Sequence, residues 1–156
     1  MATEIERKFL VTSDEWRNLA SGIIYRQGYI ATKKGTTVRV RLAGNQGYLT
    51  IKGTTKGISR AEYEYEISVE DAQEMLNNLC DSPLIEKTRY KIAIDNLIWE
   101  VDEFVGENQG LIVAEVELSD ANQTINIPNW IGQEVSDDAR YYNANLVQHP
   151  YSQWSK

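Results

Sequence analysis

Carboxylates and cations recur at every second position along much of this chain, a spacing that puts each set on one side of an extended strand, roughly 7 Å apart. Glu4, Glu6 and Lys8 form the first set. Arg39 and Arg41 follow, then Tyr48, Thr50 and Lys52, then Arg60, Glu62, Glu64 and Glu66. Lys87, Arg89 and Lys91 come next, and Glu100 with Asp102 and Glu115 with Glu117 complete the series. Paired carboxylates suit hard divalent cations such as Mg2+, while arginine and lysine suit phosphate oxygens. Both kinds on strands point to a site for a metal–phosphate complex. A plainer account exists: a half-buried antiparallel sheet buries its apolar face and leaves its charges in water. Two features count against it. Like charges cluster within each strand, where a solvated face mixes signs, and opposite signs fall on different strands. Alternation by itself leaves open which face points inward.

The elements that must carry these residues follow from the same period. Strands are expected over Thr3–Val11, Ile23–Thr32, Thr37–Ala43, Gly47–Lys52, Ser59–Val69, Leu84–Ile94, Ile98–Val105 and Leu111–Leu118. Turn residues separate them at Lys34-Gly35, Gly44 to Gly47, Asp95-Asn96 and Gly106 to Gly110, short links that favour hairpins. Helices are expected in three places: a short one opening at Ser13 with Trp16 and Leu19 on one face, one capped by Ser68, and a final one after Pro128 running to Leu146. The fold class is therefore mainly β with a few helices (α+β), an eight-stranded antiparallel β-barrel, with a two-layer sandwich as the alternative. A single domain over residues 1–156 fits this length.

Composition narrows the partners. The net charge of −7, from 23 acidic and 16 basic residues, argues against nucleic acid. One cysteine, Cys80, excludes an internal disulfide and fits a reducing compartment. Neither a signal peptide nor an apolar run of about 20 residues is present, so no membrane partner and a cytoplasmic location are expected. His149, the one histidine, is expected at the surface, and Cys80 in packing. The Gly53 to Gly57 stretch lacks the order of a phosphate-binding P-loop.

Glu4-Ile5-Glu6-Arg7-Lys8 resembles the ExExK signature of the CYTH proteins, or triphosphate tunnel metalloenzymes. Arg39-Val40-Arg41, Thr50-Ile51-Lys52, Arg60 to Glu64, Glu86 to Tyr90, Glu100-Val101-Asp102 and Glu115-Val116-Glu117 follow in the family's order. Glu134 to Asn143 is similar to the small bacterial members. The resemblance implies an eight-stranded β-tunnel with its charges inward, and it assigns roles. Lys8, Arg39, Arg41, Lys52 and Arg89 would bind the triphosphate. Glu115 and Glu117, with Glu4 and Glu6 nearby and Glu62, Glu64 and Asp102 contributing, would hold Mg2+ or Mn2+, two ions with substrate bound. Lys87 would be catalytic, with Tyr29 orienting it, although a structural tyrosine fits position 29 nearly as well.

The implied reaction is attack by water on the terminal phosphoryl group of inorganic tripolyphosphate or a related triphosphate, with diphosphate departing. A class IV-type adenylate cyclase uses the same lining, and a non-catalytic polyphosphate or nucleotide binder is the third reading. The resemblance also allows a homodimer.

Overall fold

Each expected strand forms, with ends within two residues of those read from alternation. The computed structural model describes residues 3–33 and 35–155. Its strands are β1 (Thr3–Val11), β2 (Gly22–Ile30), β3 (Thr37–Ala43), β4 (Gln46–Lys52), β5 (Ser59–Ile67), β6 (Ile85–Ile94), β7 (Leu97–Phe104) and β8 (Ile112–Glu117), followed by a short β9 (Ile131–Glu134). Neighbours run in the order β5-β4-β3-β2-β6-β7-β8-β1, and β1 returns to β5 through Thr3 opposite Ala61 and Ile5 opposite Ser59. Every pairing is antiparallel. The result is a closed eight-stranded barrel, not a sandwich.

The turns obey local chemistry. Asp95 and Asn96 join β6 to β7 with φ of 51° and 66°, the left-handed pair that a two-residue hairpin requires. Lys34 of the expected Lys34-Gly35 turn lies outside the described residues. Ser68 caps α1 (Val69–Asn78) by accepting a hydrogen bond from the Asp71 amide at 3.0 Å. That helix lays Ala72 and Leu76 on Val40 and Leu42 of β3. A Cβ at Gly47 would come within 3.0 Å of the Ala72 side chain, so glycine there lets helix and wall approach.

Outward-facing Phe9, Trp99, Val101, Ala114 and Val116 form a second core with Trp16, Trp130 and Ile131. A third core lies across the barrel's end. Ile85, Phe104 and Val113 belong to the inward parity of their strands, two residues from Lys87, Asp102 and Glu115. They pack with Tyr141, Leu146 and Val147, so the last helix, α2 (Asn143–Gln148), stops one end of the barrel with apolar side chains.

Two helical expectations are corrected. The segment after Pro128 is not one helix: Ile131–Glu134 is β9, Ala139–Tyr141 is a single 3-10 turn, and only Asn143–Gln148 is α-helical. β9 pairs with β1 at Phe9 and Val11, beyond the Thr3–Ile5 stretch that β5 covers, and so satisfies backbone groups that β5 leaves. The early helix is one 3-10 turn, Glu15–Asn18, that ends before Leu19. Trp16 is therefore buried while Leu19 is 53% exposed.

Candidate active site

Register brings the alternating charges around one interior. Glu6 faces Glu117 and Lys8 faces Glu115 across β1 and β8, while Glu115 also faces Glu100 on β7. Arg89 faces Asp102, Lys52 faces Glu62 and Thr50 faces Glu64. Tyr29 lies opposite Arg39, and Gln27 opposite Arg41. The inward direction that alternation left open is thereby fixed. A cavity of about 410 Å3 lies among these residues, with Tyr142 to Asn145 at its helix-stopped end.

Its wall holds seven carboxylates (Glu4, Glu6, Glu62, Glu64, Glu100, Glu115 and Glu117) and seven cations (Lys8, Arg39, Arg41, Lys52, Arg60, Arg89 and Lys91). Close pairs tie many of them. Lys8 donates to Glu115 at 2.7 Å, Lys52 to Glu4 at 2.9 Å, and Arg39 meets Glu64 at 3.3 Å. Burial would raise the Glu115 carboxyl, but Lys8, Arg89 and Lys87 outweigh it and hold it well below the usual carboxylate range. Lys52 and Arg60 similarly overcome burial at Glu4 and lower it.

Other acids lack that compensation. Burial first, then the charge of Glu115, pushes Glu6 up to about 7. Burial raises Glu117, with Glu4 and Glu62 adding to it. Carboxylates crowded enough to resist ionisation are a donor set that a divalent cation would relieve. Among the described residues no three acidic, histidine or cysteine side chains already surround one point. Glu6 and Glu117 still offer oxygen donors of the kind Mg2+ takes, with phosphate oxygens needed to complete its coordination.

Asp102 and Lys87 stand apart from the wall. Asp102 is fully buried, gripped by Arg89 through two bonds of 2.7 Å and by Lys87 at 2.7 Å. Lys87, 1% exposed, also donates to Asn143 at 3.1 Å, from the first residue of α2. Burial drives its ammonium down to about 7 against the pull of Asp102, with Arg89 and Arg41 assisting the fall. Tyr29 lines the cavity, and its hydroxyl is hydrogen-bonded by Gln27.

Arg41 differs from the other lining cations: among the described residues no carboxylate lies within 4.0 Å of it. Its Nε donates to Gln27, and burial, then Arg39 and Arg89, lowers it to about 10. Arg39 Nε is a buried donor with no hydrogen-bond partner among the described residues.

Sequence reasoning did not assign Tyr25, Gln27 or Asn143 to the site. Tyr25 and Gln27 share the parity of Tyr29, a signal available in the strand pattern. The guanidinium carbons of Arg41 and Arg89 each lie 4.9 Å from the Tyr25 ring centre. Asn143 had no such signal. Glu66, read with the charged set, is exposed and outside the cavity wall. His149 is exposed, and Cys80 packs at the end of α1.

An antiparallel barrel with a balanced ionic interior is the architecture of a polyanion-binding tunnel. Residues 2–151 match the CYTH domain, and the chain belongs to that family. An inorganic triphosphatase of Acetivibrio thermocellus is 54% identical over 156 residues, 100% of both chains. An inorganic triphosphatase of Nitrosomonas europaea is 39% identical over 149 residues, 93% of this chain and 97% of the relative. A crystal structure of an inorganic triphosphatase superposes with a TM-score of 0.65 at 36% identity, covering 94% of this chain and 95% of that one.

Proposed function

We propose that the protein is a divalent-metal-dependent triphosphatase that removes the terminal phosphoryl group of inorganic tripolyphosphate or a related triphosphate within the barrel. The carrying observation is the ionic balance of the cavity. Seven cations face seven carboxylates, yet among the described residues Arg41 lacks a counter-ion and Arg39 Nε lacks an acceptor. A triphosphate supplies both needs. It also brings about four or five negative charges that the balanced wall cannot neutralise alone, so cations must enter with it.

In this reading Arg39, Arg41, Lys8, Lys52 and Arg89 fix the phosphate oxygens and hold the chain in line for attack. Glu6, Glu115 and Glu117, with Glu4, Glu62 and Glu64 around them, are the residues that would hold Mg2+ or Mn2+. When bound, two such ions would neutralise charge on the phosphate oxygens. Asp102 has both oxygens committed, so it serves as counter-ion to Arg89 and Lys87. A water oxygen bonds to the terminal phosphorus as the bridging P–O bond breaks. Diphosphate leaves, and the proton that the water gives up passes to Lys87, which lies behind the wall against the cavity-lining Asn143 and is neutralised by Asp102 once charged. The acidic chain and single cysteine support a cytoplasmic enzyme with no nucleic-acid partner, and no helix among the described residues is long and apolar enough to cross a membrane.

The test is product identification from tripolyphosphate, ATP and thiamine triphosphate, each with Mg2+ or Mn2+. Orthophosphate from tripolyphosphate is expected. Cyclic AMP and pyrophosphate from ATP would replace the hydrolase with a cyclase, and binding without products would leave only a polyphosphate binder.

A further inference from the structure

We propose that Gln27 is a positioning residue that couples triphosphate binding at Arg41 to the orientation of Tyr29. Gln27 has no exposed surface and sits inside β2, opposite Arg41 on β3 and Ile85 on β6. A guanidinium can only donate, so the Arg41 Nε contact at 2.9 Å fixes the Gln27 carbonyl oxygen on the arginine side. The amide nitrogen must then face the other way. There it donates to the Tyr29 hydroxyl oxygen at 2.8 Å.

This order sets the polarity of the whole row. Tyr29 receives a hydrogen bond from Gln27, which leaves its own proton free for the cavity that it lines. Arg41 is the lining cation without a carboxylate, so a bound anion claims its remaining donors. Loading of that guanidinium is transmitted through a buried amide with no water to absorb the change.

The inference rests on the triphosphatase reading for its ligand and for the role of Tyr29, and the experiment separates the two. Protein labelled with [ζ-13C]tyrosine is titrated with tripolyphosphate and Mg2+, the Tyr29 resonance being assigned by its loss in Tyr29→Phe. In the wild type that resonance moves on saturation. In Gln27→Met it moves no more than about half as far, the direct effect of ligand in the shared cavity remaining, while calorimetry still records binding, weakened about tenfold by loss of a hydrogen bond to a charged group.

Turnover supplies a second readout. Gln27→Met raises KM in both the wild-type and Tyr29→Phe backgrounds, but lowers kcat only where Tyr29 is present. Gln27→Glu keeps the side-chain shape if the methionine variant fails to fold. Its carboxylate would neutralise Arg41 and accept the Tyr29 proton, so binding weakens further and the resonance again moves less than in the wild type. A Tyr29 resonance that moves as far in either variant as in the wild type overturns the coupling, as does an equal loss of kcat in the Tyr29→Phe background. If the wild type binds tripolyphosphate but releases no phosphate, the triphosphatase reading fails and the resonance still decides the coupling. No binding at all sinks both.

Discussion

Arg41 and Arg89 are chemically identical side chains two strands apart in the barrel, and their partners give them opposite energetic roles. Arg89 shares two short bonds with a fully buried carboxylate, so Arg89→Met strands part of the Asp102 charge and costs about 3 kcal/mol or more of stability. Arg41 has no carboxylate to abandon. Arg41→Met is expected to change stability by about 1 kcal/mol or less while raising KM for tripolyphosphate at least about tenfold. Urea denaturation alongside kinetics checks both halves, and a large stability loss at Arg41 would refute its place as a cation reserved for substrate. Lys87 gives a pH prediction. Its folded value near 7 lies below its ordinary 10.5, so between those limits the unfolded chain binds the proton that the native one lacks. Stability relative to Lys87→Met therefore rises with pH across that window. As proton acceptor the neutral amine makes kcat rise through about pH 7, and a flat profile would remove it from that role. Much of the charged lining was legible as residue types at period two. Gln27 and Tyr25 share the strand parity of Tyr29 but carry no charge to mark them, and Asn143 lies in a helix whose approach to Lys87 no strand period records.

The two α-helices test different parts of the architecture. Ser68→Ala removes a side-chain cap from α1 and is expected to cost about 1 kcal/mol without changing turnover, since that helix covers the outer face of β3. Leu146 is fully buried in the apolar stopper, where truncation to alanine should cost about 2–5 kcal/mol. Because α2 also brings Asn143 to Lys87, Leu146→Ala should lower kcat as well, and unchanged turnover would detach the helix from catalysis. Helix α1 was legible from its cap and apolar spacing. The final segment was misread because Trp130, Ile131 and Val135 fit a helical period, whereas the segment's fate is decided by the unpaired stretch of β1 more than a hundred residues earlier. Local pattern carries no record of a distant strand's vacancies.

At the scale of the whole molecule, a chain of net charge −7 is set to hold a polyanion. That works only if cations accompany the ligand, since the interior is already balanced. Removing divalent cations with EDTA should abolish turnover and reduce tripolyphosphate affinity by at least about tenfold, and restoring Mg2+ or Mn2+ should recover both. Calorimetry with and without the chelator reads the effect directly; equal affinity would mean that side chains alone balance the ligand. Eight strands could be counted from sequence, but barrel and sandwich share the same alternation. The choice turns on whether the first strand finds the fifth.

That seam has a consequence in time. β1 joins β5 through Thr3 to Ile5, and joins β8 through Glu6 to Leu10. The Lys8–Glu115 contact spans 107 positions of sequence. Contacts that distant are slow to form, and none can form until the eighth strand exists. Glu6 and Lys8 are thus among the last of the lining charges to reach their working places. The strand that locks the ring also delivers three of its charges, so a half-assembled wall has no polyanion site to offer.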